Sequence, residues 1–83
     1  MTIEELNRKV YEVIRSSTET ELELHQDLHL ITQMGLSSVE IMLLVSDLED
    51  AFGIELPVSE LRSVTTVGQL CQTVRQVIGQ NGE

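Results

Sequence analysis

The stretch QMGLSSVEIMLL, residues 33–44, is the most informative segment of the chain. Ser37 and Glu40 have the S-x-x-E spacing of a capping box, which predicts Ser37 as the N-cap of a helix and Ser38 as its first residue. The N-cap side chain turns back onto backbone N–H groups, so the Ser38 hydroxyl is left exposed at the positive end of the helix dipole. A phosphate ester is favoured at such a position. A modifiable serine and two ordinary capping residues are both interpretations of this pattern.

Apolar residues at helical spacing predict an all-α fold, a small four-helix bundle with three longer helices and one short helix. No sustained alternation of apolar and polar residues predicts a strand. Ser59 is expected to begin the short helix, and Gly53 and Gly79 are expected to end the second and last helices. Residues 79–83 are expected to form a frayed tail. The predicted helices cover residues 3–16, 38–52, 59–63 and 67–78.

The remaining long segment, residues 17–36, connects the first two longer helices. A structureless connection of this length is unusual in a compact domain. Its leucines predict that it is pinned across the core, with a short helical turn within residues 22–31. Capping-box spacing also marks the starts of the first and last helices, at Thr2 with Glu5 and at Thr66 with Gln69.

Length and charge limit the classes of function. The chain has 83 residues, which is room for a single domain, residues 1–83. It has 14 acidic residues against five Lys and Arg, a net charge of −9, which argues against nucleic-acid or anionic-membrane binding and favours basic protein partners. No Lys or Arg lies between Arg15 and Arg62; the acids in that stretch are Glu19, Glu21, Glu23, Asp27, Glu40, Asp47, Glu49, Asp50, Glu55 and Glu60. A generic solvated surface is the alternative interpretation.

Several features bear on location. No apolar run approaches the roughly 20 residues that a membrane span needs. The N-terminal MTIEELNRKV lacks the apolar stretch of a secretory signal. The single cysteine, Cys71, excludes an internal disulfide and suits a reducing compartment. We therefore expect a cytoplasmic protein without membrane insertion, and a monomer.

The residue types that catalysis uses form no recognisable active site. His25 and His29 are four residues apart, but a metal site would need a third protein ligand, so two solvated loop histidines and no metal are expected. Cys71 has apolar neighbours and is interpreted as a packed residue rather than a nucleophile. Glu49 and Asp50 are interpreted as part of a solvated helical surface. The sequence therefore predicts a protein that is not an enzyme.

Three further motifs identify a family. The first is a Gly followed by two intervening residues, a Ser and an aliphatic residue, at residues 35–39, in which the motif serine is Ser38. The second is Phe-Gly-Ile-Glu-Leu-Pro at residues 52–57, and the third is Thr-Thr-Val-Gly at residues 65–68. Together, and in register over nearly the whole length, they resemble the acyl carrier protein family, whose domains bear a 4′-phosphopantetheine arm on a serine. The resemblance implies that Ser38, fourteen residues before Phe52, is the attachment site.

The resemblance also implies partners and a role. A phosphopantetheinyl transferase would attach the arm, and acyl-loading and acyl-processing enzymes with basic docking surfaces would use it. The family usually has Asp immediately before the modified serine, whereas this chain has Ser37. Serine caps a helix about as well as aspartate, so the substitution leaves the fold unaffected and leaves open which transferase recognises the chain.

Two further sets of residues acquire roles through the same resemblance. The residues expected to dock partners are Val39, Glu40, Leu43, Asp47, Asp50 and Leu56. Those expected to line a space for an acyl chain are Leu44, Val45, Leu48, Phe52, Ile54, Leu61, Val64 and Leu70, for which simple core packing is the alternative. Bacterial fatty-acid carriers tend to be acidic at the Leu43 position, which favours polyketide or other natural-product biosynthesis over fatty-acid synthesis. A peptidyl or aminoacyl carrier and an unmodified acidic interaction module remain alternatives.

Overall fold

A computed structural model of the chain describes residues 2–81. It contains four helices and, within those residues, no strand, which confirms the predicted bundle of three longer helices and one short helix. The helices are α1 Ile3–Thr18, α2 Ser38–Phe52, α3 Val58–Leu61 and α4 Val67–Asn81.

The predicted capping boxes are confirmed at α1 and α4. At α1, the Glu5 N–H donates to Thr2 Oγ1 at 3.1 Å and the Thr2 N–H donates to Glu5 Oε1 at 2.9 Å. Helix α1 runs two residues beyond the predicted end because the chain turns only at Glu19, whose φ of 53° is left-handed and whose N–H donates to the Arg15 carbonyl. At α4, the corresponding pair joins Thr66 and Gln69, with both distances 3.2 Å.

The predicted start of α3 at Ser59 and the predicted end of α4 at Gly79 are wrong. Helix α3 begins at Val58 because Pro57 takes the extended N-cap conformation and accepts the Glu60 N–H at 3.0 Å. Gly79 has no left-handed φ and α4 continues through it to Asn81, since a single glycine costs a helix only about 1 kcal/mol. Of the predicted frayed tail, residues 79–81 are helical, and residues 82–83 lie outside the described residues.

The long connection between α1 and α2 is pinned across the core, as predicted. Its side chains Leu24, Leu28, Leu30 and Leu36 are buried. The predicted short helical turn within residues 22–31 is present, since the Leu28 N–H donates to the His25 carbonyl at 3.2 Å. A longer run of turns follows over residues 29–35.

The connection is also tied to the start of α4. The Leu30 N–H donates to the Thr65 carbonyl at 2.9 Å, and the Val67 N–H donates to the Leu28 carbonyl at 2.9 Å. One residue further on, the Gly68 N–H donates to the Gln26 carbonyl at 2.8 Å. A Cβ at position 68 would lie 2.8 Å from that carbonyl oxygen, so the close approach requires glycine.

One hydrophobic core joins α1, α2, α4 and the connection. Ile3, at the start of α1, is 56% exposed and lies outside this core. Within residues 2–81 no helix has both the length and the apolar character that crossing a bilayer would require. The buried apolar residues are Leu6, Val10, Ile14, Leu24, Leu28, Leu30, Leu36, Leu44, Val45, Leu48, Leu56, Val67, Leu70, Cys71, Val74 and Val77.

Candidate functional site

The start of α2 distinguishes the two adjacent serines. Ser37 Oγ accepts the Glu40 N–H at 3.2 Å, and Glu40 Oε1 accepts the Ser37 N–H at 2.9 Å, which confirms the predicted capping box. Ser38 is the first helical residue and is exposed. Its hydroxyl makes no hydrogen bond within the described part of the chain. The Ser37 hydroxyl is therefore occupied, whereas the Ser38 hydroxyl is available for modification.

This helix end suits a phosphate ester on Ser38. The first N–H groups of a helix lack intrahelical partners. At α2 the N–H groups of Glu40 and Ile41 are used by the Ser37 side chain and carbonyl, respectively, whereas those of Ser38 and Val39 have no acceptor among residues 2–81. Two uncommitted donors and the positive end of the helix dipole lie beside the hydroxyl. The site thus fits a phosphodiester-linked arm in both charge and access.

An exposed apolar patch lies beside Ser38 and consists of Val39, Met42, Leu43 and Val58. Their side chains are 66, 70, 60 and 71% exposed, respectively. Val39 and Leu43 face outward as predicted. Met42 and Val58 were not among the predicted docking residues, although the spacing of Met42 from Val39, three residues along the helix, carried the signal. Val39, Met42 and Leu43 lie within the first turns of α2, and Val58 lines the same groove as Met42.

The predicted docking residues divide into two groups. Glu40, Asp47 and Asp50 are exposed on α2 and give the surface beside the apolar patch its negative charge. Leu56 is only 5% exposed. Its predicted place on a docking surface is therefore wrong, because the segment between α2 and α3 folds its side chain back onto the core.

Leu56 instead contributes to an apolar groove between α2 and α3, which we call the α2–α3 groove. Its volume is about 520 Å³. A larger cleft of about 700 Å³ lies on the other side of Leu56 and has a more polar wall. The residues lining the α2–α3 groove are Ile41, Met42, Val45, Ser46, Glu49, Leu56, Val58, Leu61 and Arg62.

The residues predicted to line an acyl space are only partly brought together. Val45 and Leu61 line the α2–α3 groove, and Ile54 lines the neighbouring cleft. Leu44, Leu48 and Leu70 are at most 1% exposed and form the core itself. Phe52 and Val64 are half-buried against that core and line neither space. The groove that is present lies nearer the surface than predicted, because α3 is one short turn that covers little of α2.

Glu49 has a structural role that its expected place on a solvated surface did not suggest. It is half-buried and lines both the groove and the cleft. Its Oε2 accepts the Leu56 N–H at 2.8 Å, and its backbone carbonyl accepts the Gly53 and Ile54 N–H groups. Glu49 thus holds the segment between α2 and α3 in place, and with it one wall of the α2–α3 groove.

The other residues with reactive side chains have structural roles. Cys71 is 1% exposed, as its predicted packing requires, and burial raises the pKa of its thiol. His25 is exposed, but His29 is half-buried and its Nδ1 accepts two backbone N–H groups, so the expectation of two solvated histidines is wrong for His29. Residues 2–81 contain no cluster of three side chains able to hold a metal ion.

Comparisons with known proteins agree with this geometry. The family model described as "Phosphopantetheine attachment site" matches residues 8–74. An acyl carrier protein of Lactobacillus johnsonii is 29% identical over 76 residues, which cover 90% of this chain and 95% of that protein. A solved structure assigned as an acyl carrier protein from Mycobacterium tuberculosis has the same fold, with a TM-score of 0.81 and 21% identity over 86% of this chain and 96% of that one.

A small helical bundle with an available serine at a helix start, matched over most of its length by that family model, defines the class of phosphopantetheine-bearing carrier proteins. The chain belongs to the acyl carrier protein family. Phosphopantetheine is attached covalently to proteins of this family, which carry intermediates and do not catalyse their conversion. Their partners are a phosphopantetheinyl transferase and acyl-processing enzymes.

Proposed function

We propose that Ser38 is the residue that carries 4′-phosphopantetheine and that acyl intermediates are held on the thiol of this arm as thioesters. The observation that carries the assignment is the capping box at the start of α2. Ser37 Oγ is used by the Glu40 N–H, whereas the neighbouring Ser38 hydroxyl is exposed beside two uncommitted N–H groups. A phosphodiester on Ser38 leaves the helix cap intact, whereas one on Ser37 would remove it.

The protein's contribution is to present the arm and its cargo. A flexible tether gives the thioester a high effective concentration at each partner's active site. The α2–α3 groove lies on the side of α2 that also carries Met42, one turn from Ser38, and is lined mainly by aliphatic side chains. We infer that this groove, rather than the sealed core around Leu44 and Leu48, receives the aliphatic part of an acyl group.

The docking surface combines the apolar patch with the acidic residues of α2. Partners with basic surfaces are steered to Glu40, Asp47 and Asp50 by long-range attraction, which weakens with salt. Val39 and Leu43 of the patch then supply short-range contact. An encounter of this kind is fast and readily reversed, which a carrier that visits several enzymes in turn requires.

We assign the pathway to polyketide or related natural-product biosynthesis rather than fatty-acid synthesis. The support is Leu43, which is 60% exposed on the docking face of α2 at a position where fatty-acid carriers tend to have an acidic residue. A monomeric carrier is part of the same proposal, since the acidic surface disfavours self-association. A cytoplasmic location is also part of it, since the single cysteine, Cys71, suits a reducing compartment.

Intact-mass measurement after incubation with coenzyme A and a promiscuous phosphopantetheinyl transferase tests the attachment site. The native chain and Ser37→Ala should each gain the mass of one phosphopantetheine, and Ser38→Ala should gain none. Ser37→Ala should also lose about 1 kcal/mol of stability with its cap. Modification of Ser38→Ala would move the site to Ser37, and a native chain that stays unmodified with several transferases would favour an unmodified interaction module.

The rate at which partner enzymes load the carrier tests the docking surface. Reversal of charge in Asp47→Lys with Asp50→Lys should slow loading at low salt by about tenfold or more, because electrostatic steering raises association rates by 10- to 1,000-fold. The difference from the native chain should shrink as salt is raised. Matched substitutions at Glu21 and Glu23, exposed acids of the connection, serve as the control; equal slowing by both pairs would point to net charge rather than to α2.

A further inference from the structure

His29 begins the run of turns that leads to α2. Its imidazole Nδ1 accepts the Ile31 N–H at 3.3 Å and the Thr32 N–H at 3.1 Å. Its own N–H donates to Gln33 Oε1 at 2.7 Å, and its carbonyl accepts the N–H groups of Gln33 and Met34. This arrangement resembles a capping box, with two differences: an imidazole nitrogen takes the place of the usual hydroxyl or amide oxygen, and the reciprocating side chain, Gln33, lies four residues after the cap rather than three.

The turns that His29 caps position the start of α2. After His29, the Gly35 N–H donates to the Ile31 carbonyl at 3.0 Å, and the Leu36 N–H donates to the Leu30 carbonyl at 3.1 Å. Leu36 is buried, and Ser37 and Ser38 follow it directly. On its other side, His29 pairs with Thr66 in an isolated antiparallel bridge. The cap therefore lies between the anchor at the start of α4 and the serine that we assign as the attachment site.

An imidazole differs from the common capping side chains because it titrates between about pH 5 and 8. A neutral ring has one acceptor nitrogen, whereas a protonated ring has two donors and no acceptor. Protonation of His29 therefore removes both hydrogen bonds at Nδ1 and places a donor against two N–H groups. We propose that His29 is a pH-sensitive cap, which holds the segment before Ser38 in order when neutral and loosens it when protonated.

The groups that hydrogen-bond to His29 carry no charge. On the neighbouring stretch of the chain, Thr65, Thr66 and Gln69 are uncharged and hydrogen-bond to one another. Along its own segment the titratable neighbours are His25 and Asp27, both exposed. At the far end of the segment the Glu40 carboxylate is held by the Ser37 N–H.

Nuclear magnetic resonance of the full chain tests the cap directly. At pH 8 the imidazole ¹⁵N shifts should show His29 with its proton on Nε2. Between pH 7.5 and 5.5 the protection of the Ile31 and Thr32 amides, corrected for intrinsic exchange, should fall by about threefold to tenfold. The matched variant His29→Asn keeps a side-chain acceptor that does not titrate, so its protection should stay constant; His25→Gln should behave as the native chain does.

A proton on Nδ1 at pH 8, or the same loss of protection in His29→Asn, would overturn the proposal. The proposed effect of His29 on modification of the chain rests on attachment of the arm at Ser38. The ratio of the loading rates of the native chain and His29→Asn cancels the pH dependence of the transferase itself, and this ratio should fall at least twofold from pH 7.5 to 6. A constant ratio would overturn the proposed effect of His29 on modification. If neither chain were loaded at all, the attachment site would be what failed, and the amide measurements would still decide the role of His29.

Discussion

Replacement of Gly68 by alanine is the sharpest test of how the connection is held against α4. A Cβ at this position would lie 2.8 Å from the Gln26 carbonyl oxygen, 2.9 Å from Gln26 Oε1 and 3.2 Å from Gln26 Cβ. The side-chain oxygen can rotate away, but the carbonyl oxygen belongs to the backbone and is also the acceptor of the Gly68 N–H, at 2.8 Å. The methyl group can therefore be accommodated only if the connection moves away from α4.

The expected cost follows from three contributions. Overpacking a tight contact costs about 1–3 kcal/mol, and the lengthened hydrogen bond to Gln26 adds about 0.5–1.5 kcal/mol. Alanine recovers at most about 1 kcal/mol through its higher helix propensity. Gly68→Ala should therefore destabilise the protein by about 0.5–4.5 kcal/mol, which for a chain of this size lowers Tm by roughly 2–36 °C.

Gly79→Ala is the matched control, because Gly79 lies in the same helix and a Cβ there would meet no atom within 4 Å. With no contact to offset the gain in helix propensity, this variant should be more stable than the native chain by up to about 1 kcal/mol. Urea denaturation followed by circular dichroism at 222 nm measures both. If Gly68→Ala were as stable as Gly79→Ala, the close approach of Gln26 to α4 would be refuted.

The remaining predictions concern single side chains. Glu49→Gln should lose about 0.5–1.5 kcal/mol of stability, since a charge-assisted acceptor of the Leu56 N–H becomes a neutral one. The Cys71 thiol, buried and with a raised pKa, should stay unlabelled by iodoacetamide at pH 8 in the native apo protein and react once urea unfolds it. The pKa of the Glu5 carboxyl is lowered from 4.5 chiefly by the hydrogen bond from the Thr2 backbone N–H. The contribution of this carboxylate to folding stability is therefore complete above pH 4.5 and is lost as the pH falls through the lower pKa of the folded state. A ¹³C carboxyl titration measures that pKa.

Each of these has an outcome that contradicts it. Asp50→Asn, an exposed neighbour of Glu49, should leave stability nearly unchanged, and an equal loss in both variants would indicate a general charge effect. Labelling of native Cys71 at the rate found in urea would show that α4 does not seal it. A Glu5 midpoint at or above 4.5 would show that the capping box at α1 does not persist in solution.

The features that could be predicted from the sequence are those governed by short spacings. A capping box joins residues three apart, and an apolar helix face repeats every three or four residues, so both can be identified without the fold. This is why the starts of α1, α2 and α4 and the exposed hydroxyl of Ser38 were predicted correctly. The predicted start at Ser59 was wrong because Pro57 takes the N-cap conformation and α3 begins one residue earlier. The predicted end at Gly79 was wrong because a single glycine destabilises a helix too little to end α4.

The tertiary structure alone decided which side chains the bundle covers and which it leaves exposed. Leu56 and Val58 are both apolar and two residues apart, yet one is buried and the other is 71% exposed, because only contact with the rest of the chain determines which side of a short segment faces the core. The bond from Glu49 to Leu56 and the fit of Gly68 against Gln26 likewise join residues that no short spacing relates. The sequence by itself determined the helices and the serine at the start of α2; long-range packing decided the groove and the apolar patch, because burial depends on all the elements that meet at a point.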